Sequence, residues 1–149
     1  MFGGVFDSLE PPSKPKSTMS QRNILVVDDS STIRSAVKVS LGKFSGVELR
    51  FAVDGFEAMR QIGERLPDLV LADVLMPRIS GYQLAAVLKG SPATSSIPLY
   101  LLTSKDGEVD KAMGRVRGID GYLVKPFQKE QMQDLVRRVL CLEGEALAA

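Results

Sequence analysis

Residues 24–34 read ILVVDDSSTIR, and this stretch decides the fold. Four consecutive apolar residues, three of them β-branched, predict a strand. Asp28 and Asp29 end the run. The serines behind them are placed to cap a helix whose inner stripe runs through Ile33, Val37 and Leu41. A strand, an acidic turn and a capped helix are the opening of a βα unit.

The same alternation continues to the end of the chain. Strands are expected over 23–27, 47–53, 68–72, 99–102 and 122–124. Helices are expected over 31–43, 55–65, 81–89, 109–117 and 129–142, with Phe56, Met59 and Ile62 turned inward in the second. The run 68–72 is apolar on both faces, as a central parallel strand must be. Five βα units predict an α/β fold: a doubly wound parallel five-stranded sheet of flavodoxin-like order 2-1-3-4-5, with right-handed crossovers. In that order the chain reverses between the first and third strands, and ligands bind in the crevice at their carboxyl ends.

Reactive side chains collect at that edge. ILVV ends on Asp28 and Asp29, LVLA on Asp73, LYLL on Thr103 and YLV on Lys125. Three neighbouring carboxylates repel one another and call for a neutralising partner. An all-oxygen donor set favours Mg²⁺, with Mn²⁺ as the other candidate. Lys125 supplies a point charge suited to a phosphoryl oxygen, and Thr103 a hydroxyl for another. Asp73, at the end of the central strand, is the candidate nucleophile, and its product would be an aspartyl phosphate. The chain has no histidine, which excludes histidine ligation, a histidine base and phosphohistidine on this chain.

Composition sets the outer limits. Of 149 residues, 44% are hydrophobic and 25% charged, as in a globular domain with a buried core. A net charge of +1 offers no electrostatic argument for nucleic acid or membrane binding. One cysteine, Cys141, cannot form an internal disulfide and fits a reducing cytoplasm. Neither a signal peptide nor an apolar run of the ~18 residues a membrane helix needs is visible. Residues 1–20 are expected to be a disordered extension, because EPPSKPKSTMS is rich in Pro, Ser and Lys. Ahead of it, Phe2, Val5, Phe6 and Leu9 have helical spacing. They read either as chance apolar residues of a disordered tip or as a motif within residues 1–18 that folds onto a partner's groove. The domain proper is expected over 21–142, with a short tail over 143–149.

The segments ILVVDDSSTIR, LVLADVLMPRISGYQ, LLTSKDG and DGYLVKPF resemble the response-regulator receiver domain of two-component signalling. The resemblance spans about 23–140 in the family's order and spacing. It implies that a histidine kinase phosphorylates Asp73 and that Asp28, Asp29, Asp73 and the Leu75 backbone carbonyl hold Mg²⁺. It also implies that Thr103 and Tyr122 switch, that Lys125 completes the site and that the Lys125–Pro126 bond is cis. The output face would combine the helix over 109–117, the strand over 122–124 and the helix over 129–142. The run SKDGEVDKAMGRVRGIDGYLVKPF, with DGFEAM and MPRISGYQ, is similar to single-domain, chemotaxis-like regulators of type IV pilus twitching motility. That similarity implies an output on pilus machinery or its regulators.

Other classes fit less well. A phosphatase with an aspartate nucleophile needs a second acid two residues on, and that position is Leu75, so an enzyme is not expected. Leu75 also cannot orient an attacking water by hydrogen bonding, which predicts slow autodephosphorylation, although Lys105 on the other side of the water's path leaves the direction more open. Only LEGEALAA follows the last helix, so no DNA-binding module is expected. A scaffold that works without phosphorylation is the alternative, and the intact set of acids, hydroxyl and lysine opposes it.

Overall fold

A strand that is apolar on both sides demands cover on both faces, and this organises the molecule. The computed structural model describes residues 4–10, 21–104 and 119–141. Strands β1 (Arg22–Val27), β2 (Val47–Ala52), β3 (Leu69–Asp73), β4 (Leu99–Thr103) and β5 (Gly121–Val124) form one parallel sheet in the order β2-β1-β3-β4-β5. The described helices are α1 (Ser31–Leu41), α2 (Gly55–Glu64), α3 (Gly81–Lys89) and α4 (Lys129–Leu140). Strand order and direction are those expected. The helix expected over 109–117 lies outside the described residues.

The sheet divides the core in two. Ile24, Val26, Leu69, Leu71 and Leu102 meet Val37, Leu41, Met132 and Val136 on the α1–α4 side. Leu25, Val27, Val70, Ala72, Leu99 and Leu101 meet Ala58, Ile62, Leu84 and Leu88 on the α2–α3 side. Each such fully buried Leu, Ile or Val contributes roughly 1.5–3 kcal/mol of transfer free energy.

Several boundaries differ from expectation, each for a local reason. β3 begins one residue later than expected: the Asn23 N–H is taken at 2.7 Å by the Asp68 carboxylate rather than by a backbone carbonyl, while the Asp68 N–H donates to Asn23 O at 2.8 Å. The strand then runs on through Asp73. α1 ends at Leu41 rather than 43, with the Gly42 N–H closing onto Lys38 O. α4 ends at Leu140, where Cys141 adopts a left-handed φ of 54°. Phe56 corrects the expected inner stripe of α2. It is 43% exposed, with the Arg78 guanidinium 5.0 Å from its ring centroid, while Gly55, Ala58 and Ile62 face inward and Met59 only partly so. A Cβ on Gly55 would meet the Ile79 side chain at 2.8 Å, so this edge of α2 lies hard against the β3–α3 loop.

The N-terminus also differs from expectation. Residues 4–10, expected within a disordered extension, form successive turns that bury Phe6 to 2% exposure in the α2–α3 cluster. Burial of an aromatic ring supplies the driving force that eight residues of apolar spacing could not announce.

Candidate functional site

Parallel strands in register bring their carboxyl ends to one edge, and the register here aligns them closely. Asp73 ends β3 opposite Leu102, and Thr103 ends β4 opposite Val124. Asp28 and Asp29 lie one and two residues beyond β1, and Lys125 one beyond β5. The Lys125–Pro126 peptide bond is cis. Gly81 opens α3 directly behind the acid. A Cβ there would lie 2.5 Å from the Asp73 carbonyl oxygen and 2.8 Å from Leu101 Cδ2, so only glycine lets the loop close.

The three carboxylates form a cluster. Asp28 and Asp73 are buried and Asp29 exposed, with one oxygen from each lying within 4.8 Å of the others. Asp28 Oδ1 accepts the Ser30 N–H at 2.8 Å, and the Asp28 carbonyl accepts from Arg34 Nη1 at 2.8 Å. Asp28 Oδ2 is buried without a hydrogen-bond partner. Lys125 Nζ lies 3.7 Å from it, close enough for attraction but not for a hydrogen bond. Burial pushes the Asp28 carboxyl above its ordinary range; the Ser30 amide and Lys125 pull it down, and Asp73 and Asp29 add to the rise. An orphaned buried carboxylate oxygen inside an all-oxygen trio is a fit for a hard divalent cation, which would relieve both burial and repulsion.

Beside the trio opens a cleft of about 120 Å³ lined by Asp73, Val74, Leu75, Thr103, Ser104 and Lys125. Lys125 Nζ lies 3.2 Å from Asp73 Oδ1, which also accepts the Leu75 N–H at 3.4 Å. Thr103 is 2% exposed, and its hydroxyl donates to the Ser104 carbonyl at 3.4 Å, a long bond that is easily exchanged. Leu75 is 74% exposed at the rim. Tyr122 is half-buried against the α2–α3 cluster, paired in register with Leu101, two residues before Thr103 on the same face.

Thus Asp28, Asp29, Asp73, Thr103 and Lys125 meet at one point, with Leu75 at its rim and Tyr122 one step down the sheet. Sequence reasoning missed three contributors. Arg34 holds the Asp28 carbonyl, and its only signal is its place one turn into α1. Gly81 stands within the segment LVLADVLMPRISGYQ, and nothing in that run signals its contact with the Asp73 carbonyl. Arg78 has a left-handed φ of 66° and reaches Asp54 Oδ2 at 3.2 Å, tying the β3–α3 loop to the start of α2. Among the described residues, no helix is long and apolar enough to cross a membrane.

Comparison with known proteins gives one result. The family profile of the response regulator receiver domain matches residues 24–137. Protein PilG of Pseudomonas aeruginosa is 42% identical over 114 residues, covering 76% of this chain and 84% of PilG. Further curated relatives are longer, and the chain matches only 17% to 53% of their length. A putative response regulator from Chloroflexus aurantiacus superposes with a TM-score of 0.77 at 34% identity, over 82% of this chain and 99% of that one. The chemotaxis response regulator CheY4 of Vibrio cholerae gives 0.74 at 31% identity, over 80% and 99%.

Proposed function

The chain belongs to the response regulator receiver domain family, and we propose that it works as a phosphorylation-activated switch in a two-component, chemotaxis-like pathway. The observation that carries this reading is the convergence on one cleft of Asp73, Lys125 at 3.2 Å and Thr103, beside an acid trio with an orphaned oxygen. In the proposed reaction an Asp73 carboxylate oxygen attacks the phosphorus of a kinase phosphohistidine. A P–O bond forms as the P–N bond breaks, and the imidazole nitrogen leaves with the electron pair. Lys125 holds Asp73 Oδ1 before transfer and neutralises phosphoryl charge during it. Asp28, Asp29, Asp73 and the Leu75 carbonyl would hold Mg²⁺, or Mn²⁺, which supplies positive charge for the phosphoryl oxygens.

The switch follows from Thr103. Its hydroxyl leaves the Ser104 carbonyl for a phosphoryl oxygen, and Tyr122, on the same face, repacks behind it. The face around β5 and α4 then changes its affinity for a protein target. Couplings of this kind are worth roughly 1–3 kcal/mol. Similarity to type IV pilus twitching regulators, with 42% identity to PilG, supports a pilus motor or its regulators as that target. Turnover is not part of the proposal: Leu75 supplies neither the second acid of a phosphatase nor a hydrogen bond to water. The proposed division is a receiver domain over 21–142 with an extension over 1–20 and a tail over 143–149, acting in the cytoplasm through protein contacts, without direct nucleic acid binding or membrane insertion.

The experiment is phosphotransfer from the kinases of its own cell in Mg²⁺. One kinase should label the protein within a minute, and Asp73→Asn should abolish the label. Equal labelling of Asp73→Asn refutes the reading.

A further inference from the structure

Phe6 lies far from the phosphoryl site and has no part in it, yet it is among the buried residues of the core, at 2% exposure. Leu9 packs against the same cluster, which includes Ala58, Ile62, Val87, Leu88 and Ile97. The backbone between them is folded into a knob: the Asp7 N–H donates to Gly4 O at 3.1 Å and the Leu9 N–H to Phe6 O at 3.0 Å. Gly4 has a φ of +79°, which glycine adopts without strain. A polar tie fixes the register, since Ser91 Oγ donates to Asp7 Oδ1 at 3.2 Å and Ser91 is itself 2% exposed.

Ser91 locates this knob. It follows the Gly90 cap of α3, and the helix of a βα unit ends at the amino edge of the sheet. Asp73 ends β3 at the opposite edge. Between the knob and Gln21 lie residues 11–20, PPSKPKSTMS. A ten-residue tether reaches at most ~35 Å. Because the segment belongs to the same chain, its docking is an intramolecular step, so even a weak peptide stays bound.

We propose that the amino edge of this receiver domain carries a peptide-binding pocket, and that residues 4–9 of the same chain are its resident ligand. The ligand class is a short acidic peptide with an aromatic residue, an aspartate next to it and an aliphatic residue three positions after the aromatic, as in Phe6-Asp7-Ser8-Leu9. The pocket takes the ring and the aliphatic side chain, and Ser91 reads the carboxylate. Any partner groove that captures the N-terminal motif must take the same Phe6 and Leu9. Capture by a partner and docking in cis therefore exclude each other, and release would leave the pocket open to a peptide of the same class. Nothing in this depends on phosphorylation, so it survives failure of the switch reading.

The test uses the full chain and a synthetic peptide of residues 4–10, GVFDSLE, followed by NMR at Ser91, Val87 and Ile97. The full-length Phe6→Ala protein, with its pocket vacated, should bind the peptide saturably. The unaltered protein should bind it at least tenfold more weakly, and the peptide with alanine for phenylalanine should bind neither. Equal binding to both proteins, or no saturable shift in Phe6→Ala, overturns the proposal. Two readouts on the unaltered chain do not depend on how the variant folds. Nuclear Overhauser contacts between residues 6–7 and Ser91 are expected, and their absence overturns it. A dimer that dissociates only in Phe6→Ala would place the segment on a second copy and overturn docking in cis.

Discussion

Lys125 Nζ bridges two acids, 3.2 Å from Asp73 Oδ1 and 3.7 Å from Asp28 Oδ2, so one ammonium serves both Asp73 and its buried neighbour. Lys125→Met removes that charge and keeps the stem. Phosphotransfer to Asp73 should slow by roughly 10–100-fold, about 1.4–2.8 kcal/mol of barrier. Lys125→Arg should not restore the rate, because a planar fork cannot replace a point charge between two carboxylates. Initial rates of label transfer decide it.

Asp28 sets a pH dependence. Burial holds its folded pKa above the ordinary 3.8, so between those values the folded protein keeps a proton the unfolded chain has released. The ionised carboxylate therefore costs stability at neutral pH; the cost fades as pH falls through the folded pKa and is gone below 3.8. Asp28→Asn should raise the melting temperature of the cation-free protein at pH 7 by about 4 °C, on the order of 1 kcal/mol. Mg²⁺ should stabilise the unaltered protein more than the variant. Calorimetry with and without Mg²⁺ reads both.

Two glycines should respond in opposite directions. Gly81→Ala forces a Cβ to 2.5 Å from the Asp73 carbonyl and should cost about 1–3 kcal/mol. Gly63, late in α2, has nothing within 4 Å of an added Cβ. Gly63→Ala should stabilise by roughly 0.5–1 kcal/mol through helix propensity. Urea midpoints distinguish the two.

Leu75 should govern the lifetime of the acyl phosphate. It lines the cleft yet is 74% exposed, so Leu75→Asn should leave stability within about 0.5 kcal/mol. An amide there can orient water, and loss of the phosphoryl group should accelerate about tenfold, a barrier lower by roughly 1.4 kcal/mol. Decay of labelled protein after removal of the kinase measures it. A lifetime of seconds in the unaltered protein contradicts the expectation.

The strand order and the site were legible for a shared reason. Parallel strands buried on both faces are nearly all apolar, so Asp28, Asp73, Thr103 and Lys125 stand out where each run stops. What stayed hidden depends on tertiary context. Phe56 shares a helical stripe with Met59 and Ile62, but the close approach of Gly55 to Ile79 turns α2 so that Ala58 and Ile62 are buried and the ring remains at the surface beside Arg78. Asp68 looks like a strand residue until its carboxylate is found on the Asn23 amide. No local pattern signals a left-handed Arg78. Phe6 belongs to a pattern too short to carry weight without the pocket that receives it.

In the proposed switch, Asp73 carries a phosphoryl group whose charge is read by Thr103 and Tyr122. Beryllofluoride titration in Mg²⁺, followed by amide NMR, tests it most directly. Saturable, Mg²⁺-dependent shifts at Asp73, Thr103 and Tyr122, absent in Asp73→Asn, are the predicted result. Unmoved Thr103 and Tyr122 resonances at saturation, or the same shifts in Asp73→Asn, would contradict it.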